Sequence, residues 1–91
     1  MVAAIHYEAG ETAFSVRGTV KRKGDGLPSV IIETKTEGGD WEHWSTTKCI
    51  FPQGQDAGFS SVILPLGDGQ VRARVEPVGS GKVATFERAP T

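Results

Sequence analysis

The side chains that could carry chemistry in this chain are few, and their spacing does not suit it. His6 and His43 are the only histidines, and neither has a second ligand at helical or zinc-finger spacing, so no metal site is expected. Cys49 is the single cysteine and has no CxxC partner. A lone cysteine in a strand behaves as a small apolar group rather than a nucleophile. No serine sits in a GxSxG elbow. Gly79-Ser80-Gly81 reads as a turn between strands, with no helix behind it to receive a phosphate. The carboxylates Glu33, Glu37, Asp40 and Glu42 lie close together, but a glycosidase pair needs a deep cleft, which 91 residues rarely build. No catalytic, metal-binding or cofactor-binding residue is expected, and no enzymatic activity.

Recognition chemistry remains. Trp41 beside His43 offers a flat ring of the kind that stacks on sugars, although such a platform usually has a second aromatic and Tyr7 is the only tyrosine. Arg72 and Arg74 share one face of a strand, as Arg17 and Lys21 do on another. If those strands are neighbours, the shared face is basic, balanced by Glu33, Glu42 and Glu76. Such a face is either a solvated surface with cross-strand ion pairs or a charged subunit interface. Lys21-Arg22-Lys23 opens a loop running to Pro28, readable as an anion-binding loop or as a solvated hairpin end. The irregular stretch 51–59 carries Phe51 and Phe59. Its aromatics either form an interaction loop or tuck back over the end of the domain. The candidate protein–protein interface is therefore Trp41, His43, Phe59, Arg72 and Arg74.

These residues must be positioned by strands. The strongest signal is Ser29–Ile50, where a β-branched run, the turn Glu37-Gly38-Gly39-Asp40 and an aromatic, threonine-rich run spell a β-hairpin. Gly38 and Gly39 can take the positive φ that a tight turn needs. Trp41 and Trp44 are three apart, so in a regular strand they face opposite sides. Absent a bulge, Trp44 is the one expected in the core, with Trp41 partly exposed beside His43. Residues 13–22 alternate, with Phe14, Val16, Gly18 and Val20 on one face. Gly18 leaves room there for a large neighbour, with a tryptophan as the natural candidate. Residues 70–76 alternate as cleanly, with Val71, Ala73 and Val75 inward. Further strands are expected at 2–8, 60–66 and 82–88. In the second of these Pro65 implies a short or edge strand, and the last ends in Ala89-Pro90-Thr91. About seven short strands with a turn roughly every ten residues predict a single all-β domain over residues 1–91. An antiparallel sandwich is expected, with a small barrel as the alternative.

Composition narrows the partners. Ten basic residues against 11 acidic ones give a net charge of −1, where a nucleic-acid binder of this size usually shows a basic excess. An oligonucleotide-binding barrel is thus the poorest of the binding readings. The hydrophobic share, 37%, is low for a lone globular unit, so the domain is either a thin sandwich or one steadied by neighbouring subunits. One cysteine allows no intrachain disulfide, which fits folding in a cytoplasm. The opening Met-Val-Ala-Ala-Ile-His lacks the basic region of a signal peptide, and no apolar run is long enough to span a membrane.

Three segments together carry a resemblance. They are Thr34-Lys35-Thr36-Glu37-Gly38-Gly39-Asp40-Trp41, Val71-Arg72-Ala73-Arg74-Val75, and Gly79-Ser80-Gly81-Lys82-Val83-Ala84-Thr85-Phe86. Over residues 13–88 the chain resembles small bacteriophage virion β-sandwiches. These tend to have a Gly-Gly-x-Trp hairpin, a strand of the form Val/Tyr-Arg-x-Arg-Val and a final strand introduced by Ser-Gly. It departs from them at 51–60 and at His43-Trp44, where a plainer apolar strand is usual. The resemblance implies a structural protein of a phage virion, made in the host cytoplasm. Its implied job is to decorate or cement a capsid, or to form part of a tail or fibre. The implied partners are further copies of itself, as a homo-oligomer, and a major capsid or tail protein. The competing expectation is a glycan- or protein-binding module that works alone.

Overall fold

The computed structural model describes residues 3–24 and 26–89; Met1-Val2, Asp25 and Pro90-Thr91 lie outside them. Seven strands form: β1 (Ala3–Tyr7), β2 (Phe14–Arg22), β3 (Ser29–Thr36), β4 (Glu42–Lys48), β5 (Ala57–Ile63), β6 (Gly69–Glu76) and β7 (Gly81–Ala89). They make two antiparallel sheets, ordered β1-β6-β3-β4 and β5-β2-β7. The sheets pack as a sandwich and do not close into a barrel. The β3–β4 hairpin is the one connection that stays within a sheet; every other link crosses between layers. Chain direction alternates, so the β2–β3, β4–β5 and β6–β7 connections gather at one end of the sandwich and the β1–β2, β3–β4 and β5–β6 connections at the other.

The core follows the period-two pattern. Val16 and Val20 of β2, Val30 and Ile32 of β3, Ile63 of β5 and Val71 and Ala73 of β6 are all buried. Burial of each valine or isoleucine side chain is worth roughly 1.5–3 kcal/mol. Two glycines make room for aromatics. Gly18 pairs with Phe59 on one side and Phe86 on the other, and those rings stack at 6.4 Å. A Cβ at Gly18 would lie 1.6 Å from the Thr85 carbonyl oxygen, so no side chain fits there. Gly69 is covered in the same way by the Tyr7 ring, 2.6 Å from where its Cβ would be.

Several expectations need correction. The large neighbour of Gly18 is phenylalanine, not tryptophan. The fifth strand starts at Ala57 rather than at residue 60, and it ends at Ile63. Its inward set is Ala57, Phe59 and Ile63, while Val62, Leu64 and Leu66 are exposed. Pro65 falls just beyond it, and the strand does lie at a sheet edge. In the hairpin turn only Gly38 has positive φ, at 75°. Trp44 is not a core residue. The β3–β4 register shifts between Ile32, opposite Ser45, and Glu33, opposite His43, which leaves Trp44 as the extra residue of a bulge. Trp44 remains 37% exposed, and its indole Nε1 donates to the Val62 carbonyl across the gap to β5 at 2.9 Å. Ser45 and Ser61 meet at the same seam, 3.2 Å apart.

Candidate interaction surfaces

The outer face of the four-stranded sheet collects most of the candidate residues. Glu33 sits opposite Arg72 and Ile31 opposite Arg74 in the central β3–β6 ladder, so alternation turns all four outward. The Glu33 carboxylate accepts from Arg72 Nε at 2.9 Å and from Arg74 Nε at 2.8 Å. The second guanidinium also pairs with Glu76. Glu33 is nearly buried, at 9% exposure. Burial by itself raises the pKa of its carboxyl, but the two guanidinium hydrogen bonds and charges outweigh that and hold it below its ordinary value. Trp41 lies just before β4, with its ring 4.2 Å from the Arg72 guanidinium carbon and 6.0 Å from Lys35 Nζ. His43 stands opposite Glu33 in register, and its Nε2 shares a 2.8 Å hydrogen bond with Thr46 Oγ1.

The structure thus brings Trp41, His43, Arg72 and Arg74 to one face. It does not bring Phe59 there. That ring belongs to the three-stranded sheet and is 6% exposed, facing Gly18 in the core. Phe51 likewise packs against the core, with Arg22 5.9 Å from its ring. The phenylalanines of the 51–59 stretch therefore tuck inward. The two arginine strands, β2 and β6, lie in different sheets, so no common basic face forms. Arg17 instead pairs with Glu87 across β2–β7 at 2.9 Å. Arg72 and Arg74 take the form of the cross-strand ion pairs that the alternation allows. Cys49 is buried at the end of β4, where burial pushes its thiol pKa up despite a backbone hydrogen bond with Val30.

Open depressions mark the surface, two of them beside charged groups already named. One, of about 300 Å³, lies between His6, Lys35, Glu37, Asp68 and Gln70. The other lies over the outer face of the three-stranded sheet, between Arg17, Thr19, Ser60, Thr85 and Glu87. Among the described residues no three His, Cys, Asp or Glu side chains cluster so as to hold a metal, and no helix is long and apolar enough to cross a membrane.

Sequence reasoning missed the two ends. At one, Leu27, Ile50 and Val78 stand 59%, 76% and 90% exposed, one from each of its three connections. At the other, Leu64 and Leu66 are 57% and 88% exposed in the β5–β6 connection. Their signal was available in part, since each is an aliphatic residue in a Gly- or Pro-bearing loop. Compared with known proteins, the chain matches no family model, no curated protein and no solved structure.

Proposed function

We propose that this chain is a non-enzymatic structural protein of a phage virion, working through protein–protein contacts as a capsid decoration or stabilising protein. A tail or fibre role is the alternative within the same class. The observation that carries the reading is the pair of ends: five aliphatic side chains, each more than half exposed, stand on the loops of a small sandwich. Exposed apolar groups gathered in this way are what a protein partner covers. The three segments that resemble virion sandwiches also fall on joined elements. The Gly-Gly turn leads to Trp41, whose ring meets Arg72 of β6, and the Ser-Gly turn starts β7. A stand-alone glycan-binding module draws less support, because Trp41 is only partly exposed and already engages Arg72.

The test is co-sedimentation of the labelled chain with capsids of the phage that encodes it, purified without it. The expected result is saturable pelleting at a fixed number of copies per capsid. Pelleting no greater than that of an inert control protein would overturn the reading.

A further inference from the structure

The two ends of the sandwich differ in charge as well as in position. The end formed by the β2–β3, β4–β5 and β6–β7 connections carries Lys21, Arg22, Lys23, Lys48 and Lys82, all exposed. Against these five cations stand Asp56, Glu76, which shares the level of Ser29 with Lys48, and by sequence Asp25, so cations lead five to three. The opposite end carries Glu8, Glu11, Glu37, Asp40, Glu42 and Asp68 against Lys35 and Arg88, so anions lead six to two. The five remaining charges lie between the ends and are paired there: Arg17 with Glu87, and Arg72 and Arg74 with Glu33.

Few of the end charges are consumed internally. Among the described residues, Lys21, Lys23, Lys48 and Lys82 form no ion pair, and neither do Glu8, Glu37, Asp40 and Glu42; Glu11 pairs with Arg88. Lys21 and Lys82 even stand directly opposite one another in the β2–β7 ladder, an arrangement that costs stability. Nine-residue strands span about 30 Å, so with the end loops the strand direction accounts for the long 41 Å dimension. The charge polarity runs along it.

The sides are blunted. β1 has five residues. β4 and β7, edge strands of the two sheets, both carry register shifts. β5 has its Val62 carbonyl taken by Trp44. Bulges, short edges and covered edges oppose lateral strand pairing. What stays open is a basic end tipped by Leu27, Ile50 and Val78 and an acidic end tipped by Leu64 and Leu66.

We infer that the chain self-associates head to tail, with the basic end of one copy docking on the acidic end of the next. The occupant of each end is a second copy, because the ends complement each other in charge and both offer aliphatic side chains to bury. Such a contact is heterologous: it leaves a free end of each kind and generates open stacks, or rings if the rotation closes. Opposite fields at the two ends also steer copies into this orientation before contact. The inference deepens the virion reading only in taking protein contacts as the function.

The experiment is sedimentation velocity on the purified chain over a concentration series, at about 50 mM and about 500 mM salt, conditions that change screening strongly. Two variants accompany it: Lys23→Glu with Lys82→Glu at the basic end, and Glu37→Lys with Asp40→Lys at the acidic end. The wild type is expected to grow beyond a dimer at low salt, with association at least about tenfold weaker at high salt. Each variant alone should stay monomeric, since the first has an excess of anions at both ends and the second faces its basic end with a neutral one. An equimolar mixture of the two should associate again, because each supplies the end the other lacks. The salt series on the wild type needs no variant and holds even if one fails to fold. A wild type that stays monomeric, association indifferent to salt, variants that associate like the wild type, or a mixture that stays monomeric would each overturn the inference. Loss of self-association leaves capsid binding by a monomer intact. Loss of capsid binding leaves the self-association measurable on the pure chain, so the two readings fail separately.

Discussion

The outer face of the four-stranded sheet and the two ends of the sandwich use charge in opposite ways. On the face, Glu33 lies between Arg72 and Arg74, and the second arginine also reaches Glu76. Those charges are satisfied within the chain, held by the β3–β6 register and partly shielded. At the ends, like charges crowd together on the loops and strand ends, and among the described residues most of them form no ion pair. The difference teaches where binding capacity sits. A guanidinium already paired at 2.8 Å with a nearly buried carboxylate contributes to the fold, and recruiting it for a partner means breaking that pair first. An unpaired lysine on a loop carries no such cost.

The sharpest way to break this comparison is at Glu33. Glu33→Gln leaves two partly buried guanidinium groups without their shared counter-charge, and should cost about 2 kcal/mol of unfolding free energy. Glu76→Gln touches the same Arg74, but its side chain is 39% exposed, so solvent screening should hold its cost to about 0.5 kcal/mol or less. Urea denaturation of both variants decides the matter; equal losses would mean the face is no more committed than an ordinary surface.

The same carboxylate sets a pH dependence. Glu33 titrates below its ordinary 4.5 in the folded chain, so the unfolded chain takes up its proton first as the solution is acidified. Its contribution is fully present above 4.5 and is lost as pH falls from there through its folded value. Melting temperature should therefore drop on acidification over that range, and Glu33→Gln should flatten the drop. A profile unchanged by the substitution would assign the acid sensitivity to other carboxylates.

Much of the frame was legible because it depends on local alternation. Val16 and Val20, Val30 and Ile32, and Val71, Ala73 and Val75 all point as the period of two requires, and the Gly38 turn closes the hairpin it announces. The features that alternation left open or misplaced depend on pairing. Val62, Leu64 and Leu66 alternate as well as Phe59, Ser61 and Ile63 do. The second set wins because Phe59 must fill the slot at Gly18 and Ile63 must stand opposite Phe14. The bulge that turns Trp44 to the seam is a property of the β3–β4 ladder and leaves no mark in β4 alone. Arg72 and Arg74 share one face as alternation requires, and Glu33 and Glu76 were among the expected balancing acids, but which acid meets which arginine became visible only once β3 and β6 were known to be neighbours. The end polarity was within reach of the sequence. Successive connections alternate between ends, so the charge of every second loop could have been pooled, but that requires the strand count first.

The seam offers a smaller effect. Trp44→Phe keeps an aromatic ring but removes the N–H that Val62 accepts at 2.9 Å. The loss should be about 1 kcal/mol, with faster amide exchange confined to β4 and β5. Exchange that quickens equally in β1 and β7 would mean that Trp44 supports the whole sandwich rather than one side.

The smallest effect has the opposite sign, and it separates stability from association. Lys82 faces Lys21 directly across β2–β7, with both side chains exposed. Lys82→Glu turns a repulsive cross-strand pair into an attractive one and should stabilise the fold by a few tenths of a kcal/mol, about 0.5 at most. The substitution also subtracts two units of charge from the basic end, so head-to-tail association should weaken as the fold gains. A change on the sheet face offers no such trade, because its charges already stabilise the monomer. Paired urea titrations and sedimentation runs on this single variant read both quantities. Stability and association that rise together would mean that the lysine pair is not held apart for a partner, and the contrast between face and ends would no longer stand.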